Sequence, residues 1–204
     1  MIDLSLTEDQ RDCLQELVNV AMGRASDKLA RFLQTFVHLR VPAIELISAQ
    51  VLPQSFAEAY ADQGVSMVSQ GFYGERGVRG ESILFYRSHD AQGIARILGY
   101  EPEEATEVEQ LTDISSILTT TFLSGLAEQI DNHIGYSAPR VVTSDDTSIE
   151  KHLQQLSFTW ELALKVDISY QVTDYAFHCD MVLLIPGEAI HSFQQALDNI
   201  LNEI

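Results

Sequence analysis

Four residues in the run DCLQELVNVAMG have types and spacing suited to chemistry: Asp12, Glu16, Asn19 and Gly23. A carboxylate can pair with a cation or take a proton. A carboxamide presents an acceptor and two donors at one point without adding charge. That combination suits the orientation of a water or a polar group beside an anion. At 100° per residue, Asn19, Asp12, Gly23 and Glu16 point at about 100°, 120°, 140° and 160° around a helix. The apolar residues of the same segment centre at about 340°. The four therefore form one narrow ridge opposite the buried side.

The composition of the ridge is unusual for a wet face. A solvated helix face mixes opposite charges at i,i+4, whereas this ridge lines up two acids, an amide and a glycine. Asn and Gly are also poor helix formers. Gly23 strips the ridge of a side chain, so another surface could approach the backbone there. Taken alone, the ridge fits either an ordinary solvated face or a site.

The elements that must hold it follow from periodicity. Thr7 to about Phe36 reads as a long helix, opened by a Thr7/Gln10 capping box and an acidic first turn, Glu8 and Asp9. Leu14, Val18, Ala21, Ala25, Leu29, Phe32 and Phe36 form its apolar stripe. A bend, if there is one, falls near Gly23 or Ser26. HLRVPAIELISAQVL then reads as a strand with Pro42 at its start or edge. VSMVSQGFYG and ESILFYRS read as strands joined by a turn through GERGVRGE. DAQGIARILGY reads as a short helix closed by Gly99, with Asp90 as its N-cap. An acidic connector, EPEEATEVEQ, leads into a second long helix from about Leu111 to Asn132. VVTSD, LSFTWELALKVDISYQV and AFHCDMVLLIP supply further strands, with Trp160 read as core, and GEAIHSFQQALDNILNEI is a terminal helix.

The element order repeats. SILFYRSHDAQGIARIL echoes DMVLLIPGEAIHSFQQAL, with Leu84 over Leu183, Ile94 over Phe193 and Leu98 over Leu197, and Pro42 is echoed by Pro139. The expected fold class is α+β: pseudo-twofold αβββα halves forming one antiparallel sheet with two long helices packed on it. One domain over 1–204 is expected, with repeats of roughly 7–100 and 105–204.

Charge narrows the functions. The chain of 204 residues carries 12 basic and 30 acidic residues, a net charge of -18. That argues against nucleic acid, whose backbone needs clustered Lys and Arg, and against an anionic membrane surface. Neither a signal sequence nor an apolar run long enough to span a bilayer is visible, so a cytoplasmic protein is expected. Cys13 and Cys179 read as buried thiols in a reducing compartment. The six histidines show no metal-ligand spacing, so no metal site is expected.

The pattern Asp12-x3-Glu16-x2-Asn19-x22-Pro42 resembles the signature of the CheC/CheX/FliY family of chemotaxis phosphatases. All four positions match without a gap. The second half carries a copy at identical spacing, Glu109-x3-Asp113-x2-Ser116-x22-Pro139, with Thr120 where the first half has Gly23. The copy retains acids but loses the carboxamide, and so reads as a vestigial second site.

The resemblance implies hydrolysis of the aspartyl phosphate of a CheY-like response regulator in two-component chemotaxis signalling. It implies that the regulator brings the acyl phosphate, its Mg²⁺ and a lysine, with no cofactor of the phosphatase's own. Asn19 would position the water in line and Glu16 would pair with the regulator's lysine, the two catalytic residues. Asp12 and Gly23 would lie in the partner-binding surface, and Pro42 would support the helix. Some relatives also bind a CheD-like deamidase. A non-catalytic adaptor or flagellar switch component of the same fold is the alternative.

Overall fold

The computed structural model describes residues 6–33, 37–40, 44–51, 53–55, 58, 64–87, 91–101, 103–142, 151, 154, 162–172 and 175–203. Pro42, Asp90 and Trp160 lie outside them. The first helix, α1 (Glu8–Leu33), is followed by strands β1 (Val37–Arg40) and β2 (Ile44–Ser48). The hairpin β3 (Val65–Gly74) and β4 (Arg79–Arg87) leads to the short helix α2 (Ala91–Leu98). The second half runs α3 (Glu107–Gln129), β5 (Ile134–Tyr136), β6 (Arg140–Val142), β7 (Leu162–Val172), β8 (Tyr175–Ile185) and α4 (Gly187–Glu203).

Local chemistry accounts for the boundaries. Thr7 N–H donates to the Gln10 side chain at 3.0 Å and Gln10 N–H donates to Thr7 Oγ1 at 3.2 Å, which is the expected capping box. From there α1 is continuous through Gly23 and Ser26. The β3–β4 turn uses Gly77 at φ +80°, a left-handed conformation that glycine adopts at little cost. Helix α2 closes on Gly99 at φ +77°. There Gly99 N–H bonds Arg96 O and Tyr100 N–H bonds Ala95 O, the paired bonds of a Schellman motif.

The eight strands form one antiparallel sheet in the order β1-β7-β8-β4-β3-β5, with β2 also on β7 and β6 also on β3. Exchanging the two halves reverses this order without changing it. The centre lies between β4 and β8, where Ile83 pairs with Val182, residues 99 apart. Leu84 and Leu183, the echo seen in sequence, have the same offset. The fold class is therefore as expected, with one refinement. In each half the Pro-bearing segment forms two short strands, and in the second half Pro139 lies in the gap between β5 and β6. Proline has no N–H for a ladder, which accounts for a break at that point.

The helices bury their apolar faces on the sheet. Leu14, Val18, Ala21, Ala25 and Leu29 of α1 are all buried, and so are Leu17 and Met22. Removing a leucine side chain from water in this way contributes roughly 1.5–3 kcal/mol. From the sheet, Val68, Phe72, Leu84, Tyr86, Met181 and Leu183 join them in one core cluster. Two hydroxyl pairs cross it, Tyr86 to Ser115 at 2.9 Å and Ser82 to Thr119 at 3.3 Å. Ile83, Phe85, Val182 and Leu184 alternate onto the opposite face and are buried too. Burial on both faces explains why SILFY and MVLLI are continuous apolar runs rather than alternating ones.

Candidate functional site

Asp12, Glu16, Asn19 and Gly23 are all exposed on α1, and the ridge expected from periodicity is present. Seven residues of helix place Asp12 and Asn19 about 10 Å apart along the axis. Among the described residues, neither the Asp12 nor the Glu16 carboxylate has a hydrogen-bond or ion-pair partner. Asn19 Oδ1 receives one weak bond, from Gln15 Nε2 at 3.4 Å, which leaves its amide hydrogens uncommitted. A Cβ built on Gly23 would meet nothing within 4 Å. Nothing among the described residues therefore requires glycine there, although glycine costs a helix about 1 kcal/mol relative to alanine.

Helix α3 holds this half of α1 from beneath. Gln129 Nε2 donates to Leu17 O at 2.7 Å and to Gly125 O at 3.1 Å. A Cβ on Gly125 would stand 3.1 Å from Ala21 O, so the absence of that carbon permits the close approach. With Leu17 beside Gln129 and Ala21 beside Gly125, numbering rises along one helix as it falls along the other, so α1 and α3 are antiparallel. Outside the seam, Arg24 and Lys28 both reach Glu128, at 3.3 and 3.4 Å, on exposed side chains. Pairs of that kind contribute little.

The second motif is occupied by its own chain. Glu109 is the third residue of a capping box: Thr106 N–H and Thr106 Oγ1 both donate to Glu109 Oε2 at 2.8 Å. The backbone bond first, then the hydroxyl bond, holds its carboxyl below the usual range. Asp113 accepts from the Tyr100 hydroxyl. That bond, ahead of burial and neighbouring acids, pushes the Tyr100 phenol up. Ser116 is half-buried, and its carbonyl accepts from Thr120 Oγ1 at 2.7 Å. Tyr136 OH also donates to Thr120 O, at 3.3 Å, and sits 2.9 Å from Ser124 Oγ.

The sequence reading missed two causes of this difference. Helix α3 begins at Glu107 rather than near Leu111, because Thr106-x-x-Glu109 is a capping box hidden in an acidic run. The N-cap of α1 lies five residues before Asp12, whereas that of α3 lies three before Glu109. The cap thus consumes the acid in one helix and spares it in the other. Tyr100 was missed as well; the signal was Gly99, whose turn aims the chain back toward α3. For Gln129 the sequence carried no signal.

Two further features lie off the ridge. A cleft of about 340 Å³ between α3 and α4 is lined by Gln129, Asn132, Gln195 and Asn199, and no ridge residue lines it. Cys13 on α1 and Cys179 on β8 are thiols, not a disulfide; Cys179 is buried as expected, whereas Cys13 is only partly buried, enough to push its thiol up. Among the described residues, no group of three His, Cys, Asp or Glu could hold a metal, and no helix is long and apolar enough to cross a membrane.

Neither a family model nor a curated protein matches the sequence. Solved structures do match. FliY from Thermotoga maritima superposes with a TM-score of 0.65 at 16% identity, covering 95% of this chain and 98% of that one. The chain has the CheC/CheX/FliY fold. The FliM–SpeE complex from H. pylori contains a chain similar to this one with a TM-score of 0.63 at 12% identity, covering 96% and 97%. The FliM middle domain from H. pylori gives 0.57 at 14%, covering 94% and 99%. These likenesses are of fold, and they bear out the resemblance read from the motif at that level.

Proposed function

We propose that the protein hydrolyses the aspartyl phosphate of a CheY-like receiver domain, through the Glu16/Asn19 ridge of α1. The contrast between the two ridges carries the proposal. The acids of both ridges are exposed, but Asp12 and Glu16 are uncommitted among the described residues and Gly23 leaves open space beside them, whereas Glu109 and Asp113 are hydrogen-bonded by their own chain and Ser116 and Thr120 are half-buried.

The chemistry asks mainly for orientation. Water attacks phosphorus in line, the bond to the aspartyl oxygen breaks, and a carboxylate and inorganic phosphate leave. Asn19 accepts from the attacking water and donates toward the phosphoryl group without placing a charge beside it. Glu16 pairs with a lysine of the receiver and sets the register of the two surfaces. Asp12 extends that contact, and Gly23 admits the partner's backbone. Mg²⁺ is the receiver's, so the phosphatase has no cofactor of its own. The net charge of -18 is compatible with a cationic contact face on the partner. We read residues 1–204 as one domain of two repeats, of which the first is the working one.

A second reading has its own support. The fold likeness extends to FliM, so a non-catalytic adaptor or switch component that binds a receiver through the same ridge is the alternative. Loss of acyl phosphate from a purified receiver decides between them. The wild type should accelerate it, and Asn19→Ala should lose most of the acceleration, roughly 10²-fold, with Glu16→Ala also impaired. A receiver that binds but is not dephosphorylated faster supports the adaptor. Full activity in Asn19→Ala with loss in Ser116→Ala would move the site to α3.

A further inference from the structure

We propose that Gln129 is a positioning residue, which sets the rotational phase of α1 so that Glu16 and Asn19 face the partner together. Its activity arm rests on the phosphatase reading; its structural arm does not. Leu17 lies in the turn between Glu16 and Asn19 and is buried, at 7% exposure. Its carbonyl receives the 2.7 Å bond from Gln129 Nε2, while the other amide hydrogen is spent on Gly125 O. One carboxamide thus bridges the backbones of both long helices beneath the ridge. Four residues away on α3, Gly125 and Ala21 bring the same two backbones into near contact.

The bridge is one-sided. Under the offset of 97 that relates the two motifs, Leu17 corresponds to Ile114 and Gln129 to Phe32. Phenylalanine has no amide to donate, so the position of α1 that matches Gln129 cannot return the bond. The ridge with the intact amide is the ridge with the clamp, and among the described residues the degraded ridge has neither. A backbone bond to a neighbouring helix resists rotation of α1 in a way that apolar packing does not, because it has direction. Orientation-limited chemistry is sensitive to that: a displacement of about 1 Å costs on the order of 10²-fold in rate.

The test compares Gln129→Leu, Gln129→Glu and Thr119→Ala, the last removing a buried hydroxyl pair between α3 and the sheet, ten residues from Gln129. Backbone amide exchange over residues 12–23 and receiver dephosphorylation are measured for each, with melting temperature as the control for general destabilisation. Gln129→Leu should speed exchange in 12–23 beyond Thr119→Ala at equal loss of stability. It should lower kcat about tenfold or more with KM within about twofold. In Gln129→Glu an ionised carboxylate can only accept, so protection, corrected for intrinsic exchange, should return as the pH is lowered and the acid becomes a donor. Exchange and kcat that simply track stability in all three variants would overturn the proposal. If the wild type does not act on any receiver that binds, the functional reading fails while the exchange arm still decides the role of Gln129.

Discussion

Tyr100 donates its phenolic hydrogen to Asp113, the residue that stands in the second motif where Glu16 stands in the first. The chain reaches this position because Gly99 reverses it at the end of α2. The carboxylate expected to mark a vestigial site is therefore a partner of the α2–α3 corner. Asp113→Asn should lower the Tyr100 phenol toward its ordinary range, since Asp113 is the first cause of its upward displacement. Tyrosinate absorbance in an alkaline titration, against a Tyr100→Phe blank, measures this. An unchanged Tyr100 titration would refute the pairing.

Gly23 is a position where stability and partner binding should move in opposite directions. Its Cβ has open space, so Gly23→Ala should stabilise the protein by up to about 1 kcal/mol through helix propensity alone. The added methyl stands on the ridge, however, and affinity for a receiver should fall. Denaturant melts and binding titrations on the same variant separate the two effects. A gain in stability with no loss of binding would remove Gly23 from the contact surface.

Gly125 should behave in the reverse way. A side chain there meets Ala21 O at 3.1 Å and Ala21 Cα at 3.3 Å, both backbone atoms of a packed helix. Gly125→Val must push α1 away from α3, and overpacking of this kind costs about 1–3 kcal/mol. Chemical denaturation should register that cost. A variant as stable as the wild type would show that the seam yields without strain.

Asp180, on β8, gives a pH dependence. It is partly buried, and burial pushes its carboxyl above the usual range. In the interval between the ordinary and the raised value, the folded state binds more protons than the unfolded one. Stability therefore falls as pH rises through that interval and stays lower at neutral pH. Asp180→Asn should raise the melting temperature at neutral pH and flatten the mildly acidic slope. A variant less stable than the wild type at neutral pH would mean that the charged carboxylate is held by a favourable contact instead.

The elements that the sequence settled by itself are those whose causes are local. Residues three and four apart set the stripe of α1, Thr7 and Gln10 cap it, and Gly99 ends α2. Asp12, Glu16, Asn19 and Gly23 share a face for the same reason, so the first ridge is legible in its own segment. What only the tertiary structure decided depends on residues far apart in the chain. β1 and β2 pair with β7 of the other half, and β5 and β6 pair with β3. No periodicity encodes that exchange, because the partners lie 60 or more residues apart. The difference between the ridges is of the same kind. Glu109 and Asp113 look like acids at motif spacing, yet a cap two residues closer and a tyrosine from the preceding turn commit both. Gln129 looks like any exposed residue at a helix end until the antiparallel packing of α3 on α1 sets its amide against Leu17. Side-chain types and helical phase are properties of a segment, whereas the availability of a side chain is a property of its neighbours in space.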